Sequence, residues 1–192
     1  MEFYEKAFVG TAERFFPQPS YLIGTYKDDG NPNFALITFV TFCSVNPPML
    51  MFASRGNKLT RELVEKNKVF SANLVTANMM YMADYFGNIS GYEKNKCEEI
   101  GVRYNNGQVL NVPILDESPW VYECELIEFK SAGDGFIYIG KIKNIQVDDE
   151  IMDTSYGKID MLSLDPLIYA PGHYYRLSSK VGEVGYSKKQ SE

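Results

Sequence analysis

The sequence predicts a mainly β protein in which an antiparallel sheet closes, fully or partly, into a barrel with a few peripheral helices. Hairpin turn signals recur, as at residues 28–31 (Asp-Asp-Gly-Asn) and 132–135 (Ala-Gly-Asp-Gly), and such turns join neighbouring antiparallel strands. About seven strand-like segments stand against two or three helical ones, without the alternation that a doubly wound parallel fold requires. A chain of 192 residues with no internal repeat or linker predicts one domain over residues 1–192.

Each predicted strand is a short run of apolar, β-branched or aromatic residues between turn residues. Asn46-Pro47-Pro48 ends the second strand, because proline cannot donate a hydrogen bond to a strand ladder. Pro17 and Pro19 predict an extended entry after a short apolar cluster around Phe15 and Phe16. In chain order, the predicted strands are residues 21–27, 34–45, 49–54, 69–75, 120–129, 136–147 and 174–177.

Apolar residues at helical spacing predict two helices, over residues 58–68 and 77–86. Asn57 or Thr60 would cap the start of the first helix, and Gly87 would end the second. The polar stretches are expected to be loops with one helical turn: residues 88–118, with the turn near 94–100, and residues 148–166.

Composition and charge exclude several classes of function. A net charge of −6 without clustered lysine and arginine gives no reason to expect nucleic-acid binding. The three cysteines form no Cys-x-x-Cys pair, and Cys43 and Cys124 are expected inside apolar strands, so neither a disulfide framework nor a zinc site is expected. Residues 1–11 lack a leader pattern and no apolar run could span a membrane, so a cytoplasmic protein is expected.

Familiar catalytic motifs are also missing from the sequence. It contains neither the glycine-rich loop of P-loop nucleotidases nor the Gly-x-Gly-x-x-Gly of Rossmann dinucleotide sites. The single histidine, His173, leaves too few ligands for a catalytic zinc site, and no nucleophile elbow supports a hydrolase triad.

The segment from Ser54 to Thr60 follows a predicted strand and opens a predicted helix. A phosphate group needs dense hydrogen-bond donors, a cation and a favourable dipole, and a helix start supplies free N–H groups. Gly56 would let the backbone approach a ligand closely. The alternative is a capped strand-to-helix turn with solvated charges. The candidate phosphate ligands in this segment are Ser54, Arg55, Asn57, Lys58 and Thr60.

The apolar strand 35–44 carries Thr38, Thr41 and Ser44 at a spacing of three. Alternate residues of a strand share a face, so these three hydroxyls require a bulge or similar irregularity to face one side. Such an irregularity would free backbone groups to bind the edge of a flat heterocycle. The alternative is an ordinary buried strand whose hydroxyls bond to neighbouring backbone.

Several segments occur in an order typical of one family. They include Asn33-Phe34-Ala35, the Thr/Phe/Ser strand, Asn57-Lys58 with Thr60, Ser90-Gly91 and Ile139-Gly140-Lys141-Ile142. Over roughly residues 18–186 the chain resembles the flavin reductase-like family of FMN-binding split-barrel proteins, which includes the flavoredoxins. The resemblance implies a six-stranded Greek-key barrel, a homodimer, and FMN bound near the subunit boundary.

The resemblance also implies which residues would contact the cofactor. Those expected to face the isoalloxazine ring are Thr38, Phe39, Val40, Thr41 and Ser44. Those expected to hold the phosphate are Ser54, Lys58 and Thr60, with Asn57 nearby and Asn73 and Lys96 as further candidates. Apart from the resemblance, the local segment adds Arg55 as a phosphate ligand, and the single histidine, His173, is a candidate contact of the flavin or the substrate, the alternative being an ordinary surface residue. Many family members that use reduced nicotinamide carry a histidine where this chain has Gly135-Phe136, so NAD(P)H stays open as the direct donor.

The leading hypothesis is an FMN-dependent oxidoreductase, either a flavin reductase or a flavoredoxin-like electron carrier, whose partners are NAD(P)H or a redox protein. The flavin would carry the chemistry, which agrees with the lack of an acid–base motif, and no catalytic residue is nominated. One alternative is a non-enzymatic FMN-binding dimeric module. Another is an FMN-free barrel that acts through dimer contacts.

Overall fold

The computed structural model of the chain describes Gly10 and residues 17–188. The expected apolar cluster around Phe15 and Phe16 lies outside those residues, as does the stretch 1–11, in which no leader is expected, apart from Gly10. Within the described residues, no helix is both long and apolar enough to cross a membrane.

Strands dominate the described residues, and the prediction of a mainly β protein is confirmed. The main sheet has seven antiparallel strands in the order β3-β2-β6-β9-β10-β5-β4, beside a three-stranded sheet, β1-β11-β12, and a two-stranded one, β7-β8. The strand bounds are β1 (Gln18–Pro19), β2 (Tyr21–Tyr26), β3 (Pro32–Ile37), β4 (Val40–Val45), β5 (Pro48–Arg55), β6 (Val69–Leu74), β7 (Tyr104–Asn106), β8 (Pro113–Leu115), β9 (Trp120–Ala132), β10 (Gly135–Val147), β11 (Ile168–Ala170) and β12 (His173–Tyr175).

The predicted strand 34–45 is divided into β3 and β4 by Thr38 and Phe39. These two strands occupy the opposite edges of the main sheet, so the sheet curves until its edges lie close together. The N–H of Ala53 on β5 donates to the Phe39 carbonyl at 2.9 Å. The division raises the implied six strands to seven, and it leaves a barrel that is open between β3 and β4. The expected split barrel is confirmed.

The second half of the predicted strand 34–45 is exposed, contrary to expectation. Thr41, Phe42 and Cys43 on β4 face solvent, because β4 pairs with β5 on one side and forms the edge of the sheet on the other. The prediction that Cys43 lies inside an apolar strand is therefore wrong, whereas Cys124 is buried as predicted.

The α-helices of the described residues are α1 (Leu59–Asn67), α2 (Met80–Asn88), α3 (Lys96–Glu99) and α4 (Met161–Leu164). Lys58 is the N-cap of α1, and no side chain caps that end. The prediction that Asn57 or Thr60 caps the helix is therefore wrong.

Gly87 lies within α2 and does not end it, contrary to the prediction. Packing explains the glycine, because a Cβ at this position would lie 3.2 Å from Cδ2 of Leu36 on β3. The Phe34 and Phe86 rings stack beside this contact at 5.9 Å. The close approach places the C-terminal end of α2 against the open edge of the barrel.

The loops contain short elements that the sequence pattern does not predict. Strands β7 and β8 pair within the predicted loop 88–118, and β11 was not predicted. Its partner β12 overlaps the predicted strand 174–177 and begins one residue before it. The helical turn expected near 94–100 is present as α3. Segments of three residues are too short to show a period of two, which explains why they were missed.

Aromatic side chains tie the central strands together. Phe52, Tyr138 and Phe129 lie directly opposite one another on β5, β10 and β9. The rings of Phe52 and Tyr138 stack at 4.8 Å, and those of Tyr138 and Phe129 at 5.7 Å. Aromatic pairs stabilise a fold by about 0.5–1.5 kcal/mol each beyond the area that they bury, so this row fixes β10 between its two neighbours.

A buried carboxylate, that of Glu123 on β9, holds the loop between β7 and β8. Its oxygens accept hydrogen bonds of 2.6–3.1 Å from three consecutive backbone N–H groups and two side-chain amides: Gln108, Val109, Leu110, Asn144 and Gln146. Burial opposes ionisation, yet these donors outweigh it and hold the pKa of Glu123 below its ordinary value. The loop between β7 and β8 is therefore held by the ionised carboxylate of Glu123.

Glu123→Gln should lower the free energy of unfolding by about 2–3 kcal/mol, because it replaces one acceptor oxygen with an amide that faces other donors. Urea unfolding measures the change. The control Glu125→Gln removes a surface carboxylate 3.3 Å from Lys143 and should cost less than about 1 kcal/mol. Wild-type stability in Glu123→Gln would contradict the structural role of this carboxylate.

Candidate functional site

A groove lies on the open side of the barrel, between β3, the turn that joins β5 to α1, and residues 86–96. It contains a cavity of about 140 Å³. Five of the predicted site residues meet here, and Asn33 joins them from β3. The polar side chains in question are Asn33, Ser54, Asn57, Lys58, Thr60 and Lys96.

The turn between β5 and α1 is tied to the tip of the β9–β10 hairpin. Nε of Arg55 lies 2.7 Å from the Asp134 carboxylate, and the Gly56 N–H donates to the Asp134 carbonyl at 3.4 Å. Gly56 has a φ of +62°, a conformation that favours glycine. Lys58 then begins α1 without a side-chain cap, so the N-terminal end of the helix favours a bound anion.

Two buried hydroxyl groups face this groove. Nδ2 of Asn33 donates to Oγ1 of Thr60 at 2.8 Å, which leaves the hydroxyl hydrogen of Thr60 to donate elsewhere. Ser54 is also buried, and among the described residues its hydroxyl has no hydrogen-bond partner. Both side chains can therefore donate to a ligand oxygen.

Lys96 is a buried cation, with 4% of its surface exposed. Its Nζ donates to the Phe86 carbonyl at 3.1 Å and lies 5.2 Å from the centre of the Phe86 ring. In the part of the chain that the structure describes, no carboxylate pairs with it. Desolvation, with smaller contributions from the nearby charges of Lys58 and Lys27, lowers the pKa of Lys96 to about 8.

A buried ammonium group without a counter-ion is costly. Lys58 and Lys96 line the same groove, and the charge of Lys58 disfavours that of Lys96, so an anion bound between them would offset both the burial of Lys96 and this repulsion. The hydroxyls of Ser54 and Thr60 add uncharged donors at the same place. This donor set fits a phosphate group.

Two shallower depressions continue from the groove along β5. The first shares Ser54 with the groove and is lined by Phe39 and Arg55. The second shares Phe39 with the first and is lined by Val40 and Thr41. Three of the five residues predicted to face a flat ring, Phe39, Val40 and Thr41, therefore line depressions next to the residues predicted to hold a phosphate.

Other predicted site residues lie outside the groove. Thr38 is half-buried in the link between β3 and β4. Ser44 lies on β4 beyond a register shift that follows Phe42, which is the irregularity expected in this strand. His173 is exposed on β12, where its ring lies 6.2 Å from that of Tyr175. The structure does not bring Ser44 or His173 to the groove.

Asn73 has a different role from the one the resemblance implies. Its amide group donates to the Leu22 carbonyl and to the Ser71 hydroxyl, both at 2.9 Å. Its carbonyl oxygen accepts from the Leu115 N–H at 3.0 Å. Asn73 is therefore a buried link between β2, β6 and β8, with both amide hydrogens used, and it does not line the groove.

Asn33, Ser90 and Gly91 line the groove but were not predicted to belong to the site, although their segments contribute to the family resemblance. A buried asparagine inside a strand is unusual, and that signal could have drawn attention to Asn33. A Cβ on Gly91 would lie 2.4 Å from Oδ1 of Asn33, so glycine is needed for the 89–92 segment to close over the groove. This contact joins residues far apart in sequence, and no local pattern predicts it.

Comparison with known proteins supports this fold assignment. The chain is similar to the flavoredoxin of Desulfovibrio vulgaris (Miyazaki F), with a TM-score of 0.85, 25% identity, and coverage of 94% of this chain and 97% of that one. It is similar in fold to a flavoredoxin from Methanosarcina acetivorans, with a TM-score of 0.87, 24% identity and coverage of 98% and 100%. A curated, uncharacterized protein from Aeropyrum pernix is 26% identical over 162 residues, or 81% of this chain, and this chain spans 60% of that relative's length.

The Flavin reductase like domain family matches residues 13–178. That range includes every strand of the main sheet and every residue that lines the groove. The chain belongs to the flavin reductase-like domain family.

Proposed function

We propose that this chain binds FMN and works as an oxidoreductase, either as a flavin reductase or as a flavoredoxin-like electron carrier. The observation that carries the proposal is Lys96, a buried cation that lines the groove without a carboxylate partner among the described residues. Family membership and the likeness to flavoredoxins support it.

The groove favours a terminal phosphate over an internal one. A phosphate monoester carries nearly two negative charges at neutral pH, which Lys58 and Lys96 match, whereas each phosphate of a dinucleotide carries one. Ser54 and Thr60 would donate to the phosphate oxygens, and the uncapped start of α1 adds its dipole. This balance of charge supports FMN over FAD.

The chain's own contribution is binding and orientation. Bound FMN supplies two-electron chemistry, and the residues from Phe39 to Thr41 would border its ring system in the depressions beside Ser54. The electron donor is NAD(P)H or a redox partner protein. No side chain of this chain is nominated as an acid or base.

The exposed edge strand supports a homodimer. Phe42 and Val45 on β4 are 53% and 93% exposed, and an apolar unpaired edge is a liability for a single subunit. A second copy packed on β4 would cover these side chains. It would also bring the depression lined by Val40 and Thr41 close to the subunit boundary.

Lys96→Met should weaken FMN binding by about 10- to 150-fold, because it removes a charge-assisted hydrogen bond to the phosphate. Fluorescence titration with FMN and with riboflavin measures the effect. Riboflavin lacks the phosphate, so its affinity should stay within about twofold.

The control for this titration is Lys94→Met, which removes a surface lysine 2.6 Å from Glu99 and should leave both affinities unchanged. Wild-type protein that retains no FMN would refute the proposed function. Retained FMN without reduction by any donor would favour the non-enzymatic FMN-binding module.

FMN affinity should fall as the pH rises through about 8, the pKa to which burial lowers Lys96 in the free protein. A bound anion favours the charged lysine, so affinity is complete below that pH and is lost as the proton leaves. Titrations from pH 6.5 to pH 9 measure the profile in wild type and in Lys96→Met. A flat wild-type profile, or an equal slope in the variant, would count against Lys96 as the phosphate ligand.

A further inference from the structure

Arg61 on α1 contacts both β10 and the turn before α1, but it does not line the groove. Its Nε donates to the Tyr138 hydroxyl at 3.0 Å, and its Nη1 donates to the carbonyl oxygen of Gly56. Its guanidinium carbon lies 4.1 Å from the centre of the Phe136 ring. One side chain of α1 therefore holds β10 and the turn before α1 at the same time.

The anchor on β10 is rigid. Tyr138 is fully buried between the rings of Phe52 and Phe129, and its hydroxyl donates to the Glu65 carboxylate. Burial and this bond to Glu65 raise the pKa of Tyr138 to about 12, so the hydroxyl keeps its proton and accepts from Arg61. The position of the guanidinium group is therefore set by the core of the sheet.

The bond to Gly56 fixes the direction of the next N–H group. The Gly56–Asn57 peptide is trans, and in a planar trans peptide the C=O and N–H point in opposite directions. Because Arg61 holds the Gly56 carbonyl, the Asn57 N–H points away from Arg61. Asn57 lines the groove, whereas Gly56 and Arg61 do not, and within the described residues this N–H makes no hydrogen bond.

We propose that Arg61 is a positioning residue that fixes the Gly56–Asn57 peptide, so that the Asn57 N–H donates to the phosphate bound in the groove. This inference rests on the proposed FMN function and deepens it. Glycine at position 56, which has a φ of +62° here, permits more than one orientation of this peptide, and Arg61 selects one of them.

The competing explanation is that Arg61 acts only through its charge. Arg61→Lys separates the two, because lysine keeps the charge but has a single nitrogen and lacks the planar fork that reaches Tyr138 and Gly56 together. We expect Arg61→Lys and Arg61→Gln each to weaken FMN binding about tenfold, the value of one hydrogen bond to a charged group. Riboflavin affinity should stay within about twofold in both variants.

The measurement is fluorescence titration of wild type, the two Arg61 variants and a control with FMN and riboflavin. The control is Lys66→Gln, which removes a cation of α1 that pairs with Asp28 on the surface and should bind both ligands as wild type does. FMN binding by Arg61→Lys equal to wild type would overturn the inference, and so would an equal loss of riboflavin affinity.

Tyr138→Phe keeps the ring stack and removes only the hydroxyl, which accepts from Arg61 and donates to Glu65, so it decides the question if the Arg61 variants do not fold. We expect it to weaken FMN binding about threefold, roughly half of one such hydrogen bond, and to leave riboflavin affinity alone. Unchanged FMN affinity in Tyr138→Phe would contradict the inference. Failure of wild type to bind FMN would remove the proposed function and this inference together, whereas wild-type binding with unaffected variants removes the inference alone.

Discussion

The short link of Thr38 and Phe39 constrains the whole sheet. The strands that it joins lie at opposite edges of seven, and in a flat sheet six strand spacings would separate them by roughly 29 Å. Three steps between Cα atoms span at most about 11 Å. The sheet must therefore bend until its edges nearly meet, and the opening between them is where the groove forms. Closure of the barrel and formation of the site are one consequence of this link.

The opening concentrates positive charge in an acidic chain. Lys58 arrives on the turn after β5, and Lys96 is held against Phe86 at the end of α2, which Gly87 lets pack on β3. The two lysines therefore reach the groove from different parts of the fold, Lys58 at the start of α1 and Lys96 on α3. Repulsion between the two charges destabilises the free protein. A bound anion would remove this repulsion, and the free energy recovered would strengthen binding of the anion.

Much of the fold can be predicted from local sequence patterns. The parts that cannot be predicted in this way depend on contacts between residues that are far apart in the sequence. Ser54, Asn57, Lys58 and Thr60 lie within seven residues, so the sequence alone groups them. The break at Thr38 could not be predicted, because the residues around it all favour a strand. Only the topology of the sheet requires the predicted strand 34–45 to be divided into β3 and β4. Asn73 was named as a ligand candidate from the family resemblance alone. Its partners, the Leu22 carbonyl and the Leu115 N–H, come from other strands, so no local pattern predicts its structural role. Lys96 needed the family resemblance, since its local pattern is that of a surface helix.

The tip of the β9–β10 hairpin and the turn before α1 behave as one unit. Asp134 bonds to both Arg55 and Gly56, and Phe136 carries the guanidinium group of Arg61. A substitution at the tip would alter the backbone that is proposed to bind the phosphate, and a substitution in the turn would alter the tip. As related proteins diverge, substitutions in the hairpin tip and in the turn before α1 should therefore occur together. A β9–β10 hairpin taken from a relative would work in this protein only if the relative's turn before α1 were introduced with it.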